Sequence, residues 1–387
     1  MHQANSTPQH PLPQDFVGKT GRGQHSLTIP QQLTANSTLD EIFMIARRDK
    51  ASDVHLSARN PLIFRINGQL KIVTDNPIGA ERLSLIIKQA LPASLIETFE
   101  KSGDLEYVYT LEGFGRFRIA LIKQRQGWDL TARLIPLDIP SFESTGMPPA
   151  CAQLTKWAQG LVLVTGPAGC GKTTTLAVLV DMINQARHDH IITIENPVEI
   201  VYTPKKCQIT QREINLHTQS QHHALRAALR EDPDILVVSE LRDLQSIQLA
   251  ISAAETGHLV FGTMNTTNAA QTISRVIDSF PSDEQPIVRN MIAESLRGVI
   301  CQQLIPTLNG NGMVVAYEVL IVNASVANLI REGKIAQITN AITTGKSFGM
   351  VLMDNSLQQL AQSGIIASNE ACERSSNPAQ MMQLINH

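Results

Sequence analysis

Several scarcities narrow this 387-residue chain before any motif is read. No uninterrupted apolar run approaches the roughly 18 residues that a membrane-crossing helix needs, so direct insertion into a bilayer is not expected. Aromatic residues make up 4% of the chain, and the formal net charge is −3. A nucleic-acid motor with base-stacking aromatics along a basic stripe is disfavoured on both counts. The five cysteines (Cys151, Cys170, Cys207, Cys301 and Cys372) are odd in number, widely spaced and form no Cys-x-x-Cys pair. That argues against a disulfide framework and a structural zinc, and fits reduced thiols in the cytoplasm. The first residues lack the basic-then-apolar order of a secretion signal.

What is present is ordinary for a soluble globular protein: 43% hydrophobic and 17% charged residues. The length suits two domains better than one.

One stretch organises the rest. Gly166-Pro167-Ala168-Gly169-Cys170-Gly171-Lys172-Thr173 follows the β-branched run Leu161–Thr165. It precedes a helical pattern from Thr174 to Gln185, with Leu176, Ala177, Leu179, Val180 and Ile183 apolar. Strand, glycine loop, lysine, hydroxyl and helix in that order make a phosphate-binding loop. Glycines let successive N–H groups turn inward, and the helix start adds unpaired donors and the positive end of its dipole. Lys172 is placed to bridge the outer phosphates of ATP, the Thr173 hydroxyl to ligate Mg²⁺, and Thr174 to line the same end.

Along the chain, residues 1–36 are rich in Gln, His, Pro, Ser and Thr and read as a disordered tail, solvated or partner-binding. A helix begins near Ser37, a plausible N-cap, with Leu39, Ile42, Phe43, Ile45 and Ala46 on its apolar face. Asn67-Gly68 between apolar runs reads as a hairpin turn. Helices near Ala80–Ala90 and Ala93–Lys101, then strands at Glu106–Tyr109, Gly115–Ala120 and Leu130–Ile135, complete a small α+β domain over 37–136. Arg116, Arg118, Arg125 and Arg133 fall on its strands or loops. Two readings stand for them: a solvated sheet face, or cations reaching a triphosphate on another surface. The proline-punctuated stretch 137–149 reads as a linker.

From 150 to 367 strand and helix patterns alternate, the mark of a mostly parallel α/β sheet with helices on both faces. His190–Ile194, Ile235–Val238 and Leu259–Met264 each end in polar residues, and ligands of such sheets gather beyond the strands' carboxyl ends. Glu240, after Ile235–Val238, fits an acidic residue that holds a water on Mg²⁺ or polarises the attacking one. The competing role is a helix cap. Glu195 and Glu199 flank Pro197; either serves as a general base, or one pairs with an arginine. His258 and Asn265 flank Leu259–Met264, and a straight strand separates them by roughly 23 Å. Residues 368–387 read as a C-terminal tail.

Long stretches carry a resemblance: ASDVHLS at Ala51–Ser57, Arg116-Phe117-Arg118, the glycine loop, TIENPVE at Thr193–Glu199 and KKCQITQREI at Lys205–Ile214. So do Ala228–Asp243, Ala253–Thr266, Arg275–Pro281 and Asn328–Ile335. From about Leu39 to Ile366 the chain resembles the type IV pilus retraction ATPases of the PilT type, within the type II/IV secretion ATPase superfamily. The resemblance implies a PAS-like N-terminal domain, a RecA-like P-loop NTPase domain and a cytoplasmic homohexamer. It implies a motor that hydrolyses ATP with Mg²⁺ and is held at the inner membrane through a pilus platform protein. It makes Lys172 and Thr173 the Walker A pair, Glu199 the general base, Glu240 the Walker B glutamate and His258 the first histidine of the His box. Arg116, Arg118 and Arg133 match the family's arginines. Asn196, Gln126, Ser239, Asn265 and Ala327 depart from its pattern, Asn265 standing where the family has a second histidine. These departures leave open an accessory subunit with weak turnover. An assembly-type ATPase is the other alternative, although its extra N-terminal domain and four-cysteine motif are not found.

Overall fold

The structure, a computed structural model, describes residues 33–34, 37–310 and 312–385. The chain divides into two compact units. The first runs to Leu137 and takes in two later segments, Pro197–Glu199 and Glu213–Gln219. The second comprises Asp138–Asn196, Ile200–Arg212 and the chain from Ser220 onward.

The first unit opens on the helix Leu39–Arg48. Its cap is Thr38 rather than Ser37, because Thr38 has Glu41 three residues on and the two close a reciprocal capping box. The Ser37 hydroxyl instead accepts from the Thr34 N–H at 3.1 Å. The tail predicted over residues 1–36 lies outside the described residues except at Leu33 and Thr34, and Leu33 packs against the core.

Strands β1 (Asp53–Ser57), β2 (Ile63–Ile66), β3 (Gln69–Ile72), β4 (Asp104–Leu111), β5 (Gly115–Gln124) and β6 (Gly127–Leu134) form one sheet in the order β3-β2-β1-β6-β5-β4. Asn67 and Gly68 turn β2 into β3 with φ of 50° and 80°. Positive φ at both central residues is what a right-twisted two-residue hairpin requires. Phe43 of the first helix stacks on Phe117 of β5 with ring centroids 4.3 Å apart, at the centre of this unit's core.

In the second unit, β7 (Gly160–Thr165), β8 (His190–Glu195), β9 (Gln208–Glu213), β10 (Ile235–Val238), β11 (Leu259–Met264), β12 (Leu296–Pro306) and β13 (Met313–Ile321) make a seven-stranded sheet. Its order is β13-β12-β7-β11-β10-β8-β9. Every residue of β7, β10 and β11 is buried, which is why these strands read as unbroken apolar runs. β8, β10, β11, β7 and β12 pair in parallel, while β13 returns antiparallel on β12. The sheet is α/β, as the alternation predicts.

Two stretches differ from expectation. The predicted linker 137–149 packs instead on the second unit's core through Ile139, Phe142 and Met147, because its apolar side chains outweigh its prolines. The predicted tail carries two helices, Ser368–Arg374 and Pro378–Ile385, with Cys372 and Met381 buried. The first of these helices is polar at Ser368, Asn369, Glu370, Glu373 and Arg374, which leaves only a narrow apolar seam to read.

Candidate active site

The glycine loop joins β7 to the helix Lys172–Ala186, as the flanking patterns predict. Gly166 has φ 142° and Gly171 φ 95°, both closed to most side chains. The thiol of Cys170 is buried and its pKa is raised by that burial, so it acts as filler. Pro167, Ala168 and Gly169 are exposed at the crest of the loop, with Thr173 exposed at the helix start and Thr174 half-buried behind it.

Lys172 Nζ donates to Gly166 O at 2.7 Å, to Pro167 O at 3.0 Å and to Asn265 Oδ1 at 2.8 Å. Burial lowers the pKa of this ammonium, while Cys170 and Glu240 act in the opposite direction. Asn265 follows the last residue of β11, Met264, which pairs with Thr165 at the end of β7. Its amide also donates from Nδ2 to Glu240 Oε1 at 2.6 Å. Glu240 Oε2 in turn accepts from Arg242 Nη2 at 2.6 Å, and the Glu240 carbonyl accepts from Gln221 Nε2 at 2.8 Å. The cap of the following helix is Asp243, whose carboxylate accepts from the Ser246 N–H at 2.8 Å. Glu240 is therefore free of the capping role that competed for it.

The parallel register accounts for this convergence. β7, β10 and β11 run in step, so their carboxyl ends bring Gly166, Glu240 and Asn265 to one edge. His258 lies at the other edge, before Leu259, where its carbonyl accepts from the Gly160 N–H at 3.0 Å. Its Nδ1 is 3.0 Å from Ala253 O. Within this chain His258 does not join the loop, because six strand residues intervene.

Glu199 and the arginines meet within the first unit. Arg118 Nη1 forms an ion pair with Glu199 Oε1 at 2.8 Å, and Arg116 Nη1 donates to the Glu199 carbonyl at 2.9 Å. Glu213 Oε2 accepts from the Val198 N–H at 2.9 Å, fixing the same short segment. Arg133 pairs elsewhere, with the buried Asp53 at 2.9 Å. Glu195, in the second unit, accepts from Thr193 Oγ1 at 2.6 Å and Gln211 Nε2 at 3.0 Å. Sequence reasoning gave no role to Arg242 or Gln302. Arg242 lies in a recognised motif; Gln302 carries no local signal, since only strand pairing brings it to the loop.

The type II/IV secretion system protein family model matches residues 31–377. The chain belongs to that family. It is 42% identical over 340 residues to PilT, the type IV pilus retraction ATPase of Pseudomonas aeruginosa, covering 88% of this chain and 98% of PilT. A twitching motility protein of Neisseria gonorrhoeae is 41% identical over 319 residues, or 82% of this chain and 85% of that protein. Among solved structures, the pilus retraction motor PilT with bound ADP aligns with a TM-score of 0.79 at 39% identity, covering 89% of this chain and 98% of that one. The fold is thus shared with that retraction motor over nearly its whole chain, the RecA-like domain included.

Among the described residues no helix is long and apolar enough to cross a membrane.

Proposed function

We propose that this family member is an ATP-hydrolysing motor that powers type IV pilus retraction. The observation that carries the chemistry is the continuous chain from the loop lysine through Asn265 to Glu240. A lysine and a strand-end carboxylate linked through one side chain can attend the same triphosphate. The pilus assignment is supported by the full-length similarity to PilT.

The donor set suits a metal–nucleotide complex. Among the described residues no cluster of three or more His, Cys, Asp or Glu could hold a metal by itself. Mg²⁺ characteristically enters such sites with the phosphates, taking one or two protein ligands and keeping waters. Thr173 and Glu240 are the residues that would hold it. When bound, Mg²⁺ supplies charge neutralisation at the phosphate oxygens. The remaining work falls to the chain. The loop N–H groups orient the phosphates, and Lys172 exchanges its carbonyl partners for phosphate oxygen. Glu240 is the carboxylate assigned to the water held with the metal–nucleotide complex, and Glu199 is the general base that the family resemblance implies. Arg118 must release Glu199 Oε1 before that oxygen can take a hydrogen bond from the attacking water.

The working form is a homohexameric ring on the cytoplasmic side, bound to the inner-membrane platform protein of its pilus. Arg116 and Arg118 hold the Glu199 segment, and Arg133 braces β1 against β6; their family role toward nucleotide is part of this proposal. Phosphate release by the purified protein, together with surface pili counted in a deletion strain, tests the reading. Release of phosphate with excess pili supports retraction. Bald cells would assign assembly instead, and absence of turnover would assign an accessory subunit, the reading that Asn196, Asn265 and Gln126 leave open.

A further inference from the structure

β12 runs beside β7 and extends past its end. Cys301 pairs with Thr165, the last residue of β7, so Gln302 comes level with the start of the phosphate loop. Gln302 is 1% exposed. Its main-chain oxygen leaves no room for a Cβ on Gly166. Its side-chain Nε2 donates to the Cys170 carbonyl at 2.7 Å and lies 3.2 Å from where a Cβ on Gly171 would stand. One residue therefore touches the loop at its first glycine, at its cysteine and at the glycine before Lys172.

The other amide atom, Gln302 Oε1, is buried without a hydrogen-bond partner among the described residues. A buried orphan acceptor is costly, and leucine or methionine would fill the same space without it. The amide has its use in the donor. In a trans peptide the carbonyl and the following N–H point in opposite directions. Holding the Cys170 carbonyl toward β12 therefore turns the Gly171 N–H away from β12, toward the open side of the loop.

We propose that Gln302 is the positioning residue of the phosphate loop, fixing the Cys170–Gly171 peptide so that its N–H is preset to receive a nucleotide phosphate. The inference rests on the nucleotide reading of this loop. It assigns Gln302 to affinity and leaves the chemical step to other residues.

The test is titration of mant-ATP into full-length wild type, Gln302→Leu, Gln302→Met, Gln302→Glu and Lys172→Ala between pH 6 and 8.5. Gln302→Leu and Gln302→Met should bind roughly five- to tenfold more weakly at every pH, the worth of one neutral hydrogen bond. In steady-state hydrolysis that loss should appear in KM more than in kcat. Gln302→Glu supplies the distinguishing readout. Its protonated carboxyl can donate to Cys170 O as the amide does, whereas the ionised form cannot donate and repels that carbonyl. Burial raises a carboxyl pKa toward this range. Gln302→Glu should therefore bind near wild-type strength at pH 6 and weaken as pH rises, while wild type does not. The neighbouring thiols Cys170 and Cys301 have pKa values raised by burial and do not mimic the effect. Wild-type affinity in folded Gln302→Leu and Gln302→Met overturns the proposal, as does a Gln302→Glu affinity that is independent of pH. If Gln302→Glu does not fold, the KM-against-kcat split of Gln302→Met decides. Equal binding by wild type and Lys172→Ala would instead overturn the nucleotide reading itself.

Discussion

Asn265 donates to the Glu240 carboxylate at 2.6 Å while its carbonyl oxygen takes the Lys172 ammonium at 2.8 Å. A neutral amide suits this place because it offers a donor to the anion and an acceptor to the cation at once. A neutral imidazole can do the same, but an imidazolium has no acceptor left for the lysine. Asn265→His should therefore turn over at least as fast as wild type at pH 8 and slow as pH falls through about 6.5, the ordinary histidine value. A pH–rate profile checks this. Slower turnover at pH 8 would show that a neutral imidazole does not replace the amide at this place.

Removing either end of the same chain should give different defects. Lys172→Ala loses a charged donor to phosphate and should weaken ATP binding roughly 10- to 100-fold. Glu240→Gln keeps an acceptor for Asn265 but loses the carboxylate, so it should bind ATP and hydrolyse it about 10²-fold more slowly. Calorimetry and single-turnover hydrolysis separate the two. Equal loss of binding in both variants would contradict the division of labour.

The two glutamates around Pro197 can be told apart by what each one holds. Glu195 ties Thr193 to Gln211 within the second unit, whereas the half-buried Glu199 carboxylate pairs with Arg118 in the first. Glu195→Gln should lower the melting temperature and leave kcat within about threefold, the scale of a lost local hydrogen bond. Glu199→Gln should leave melting nearly unchanged and cut kcat by roughly 10²-fold, as loss of a general base does. The opposite pattern would move the base to Glu195.

Glu318 supplies a pH-dependent contribution to stability. Its buried carboxylate accepts from Ala269 N at 2.8 Å and Met353 N at 3.3 Å, at the starts of two helices. Burial raises its pKa, only partly offset by those two N–H groups. The folded state thus binds this proton more tightly than the unfolded chain. The contribution is fully present below the ordinary glutamate range and is lost as pH rises through the raised value. Glu318→Gln should remove that slope from a plot of melting temperature against pH between 4 and 8. Glu318→Ala, which leaves two buried N–H groups unpaired, should cost roughly 1–3 kcal/mol. Parallel curves for Glu318→Gln and wild type would place the slope elsewhere.

What the sequence determined by itself was local chemistry with a fixed order: the loop from Gly166 to Thr173, the apolar strands around it, the polar residues that end them, and the Asn67-Gly68 turn. These are readable because glycine conformation, strand burial and helix capping depend on near neighbours. The capping box at Thr38 and Glu41 is equally local, and it moves the cap one residue past Ser37. Tertiary structure decided the pairings. Register alone puts Asn265 between Lys172 and Glu240 and sends His258 to the far edge. The pull of Arg116, Arg118 and Glu213 sets the Glu199 segment in the first unit, 81 positions along the chain from Arg118. Gln302 reaches a loop 132 residues before it only because β12 lies against β7. Such contacts arise from strand order and side-chain packing across the whole chain, and no stretch of neighbouring residues encodes them.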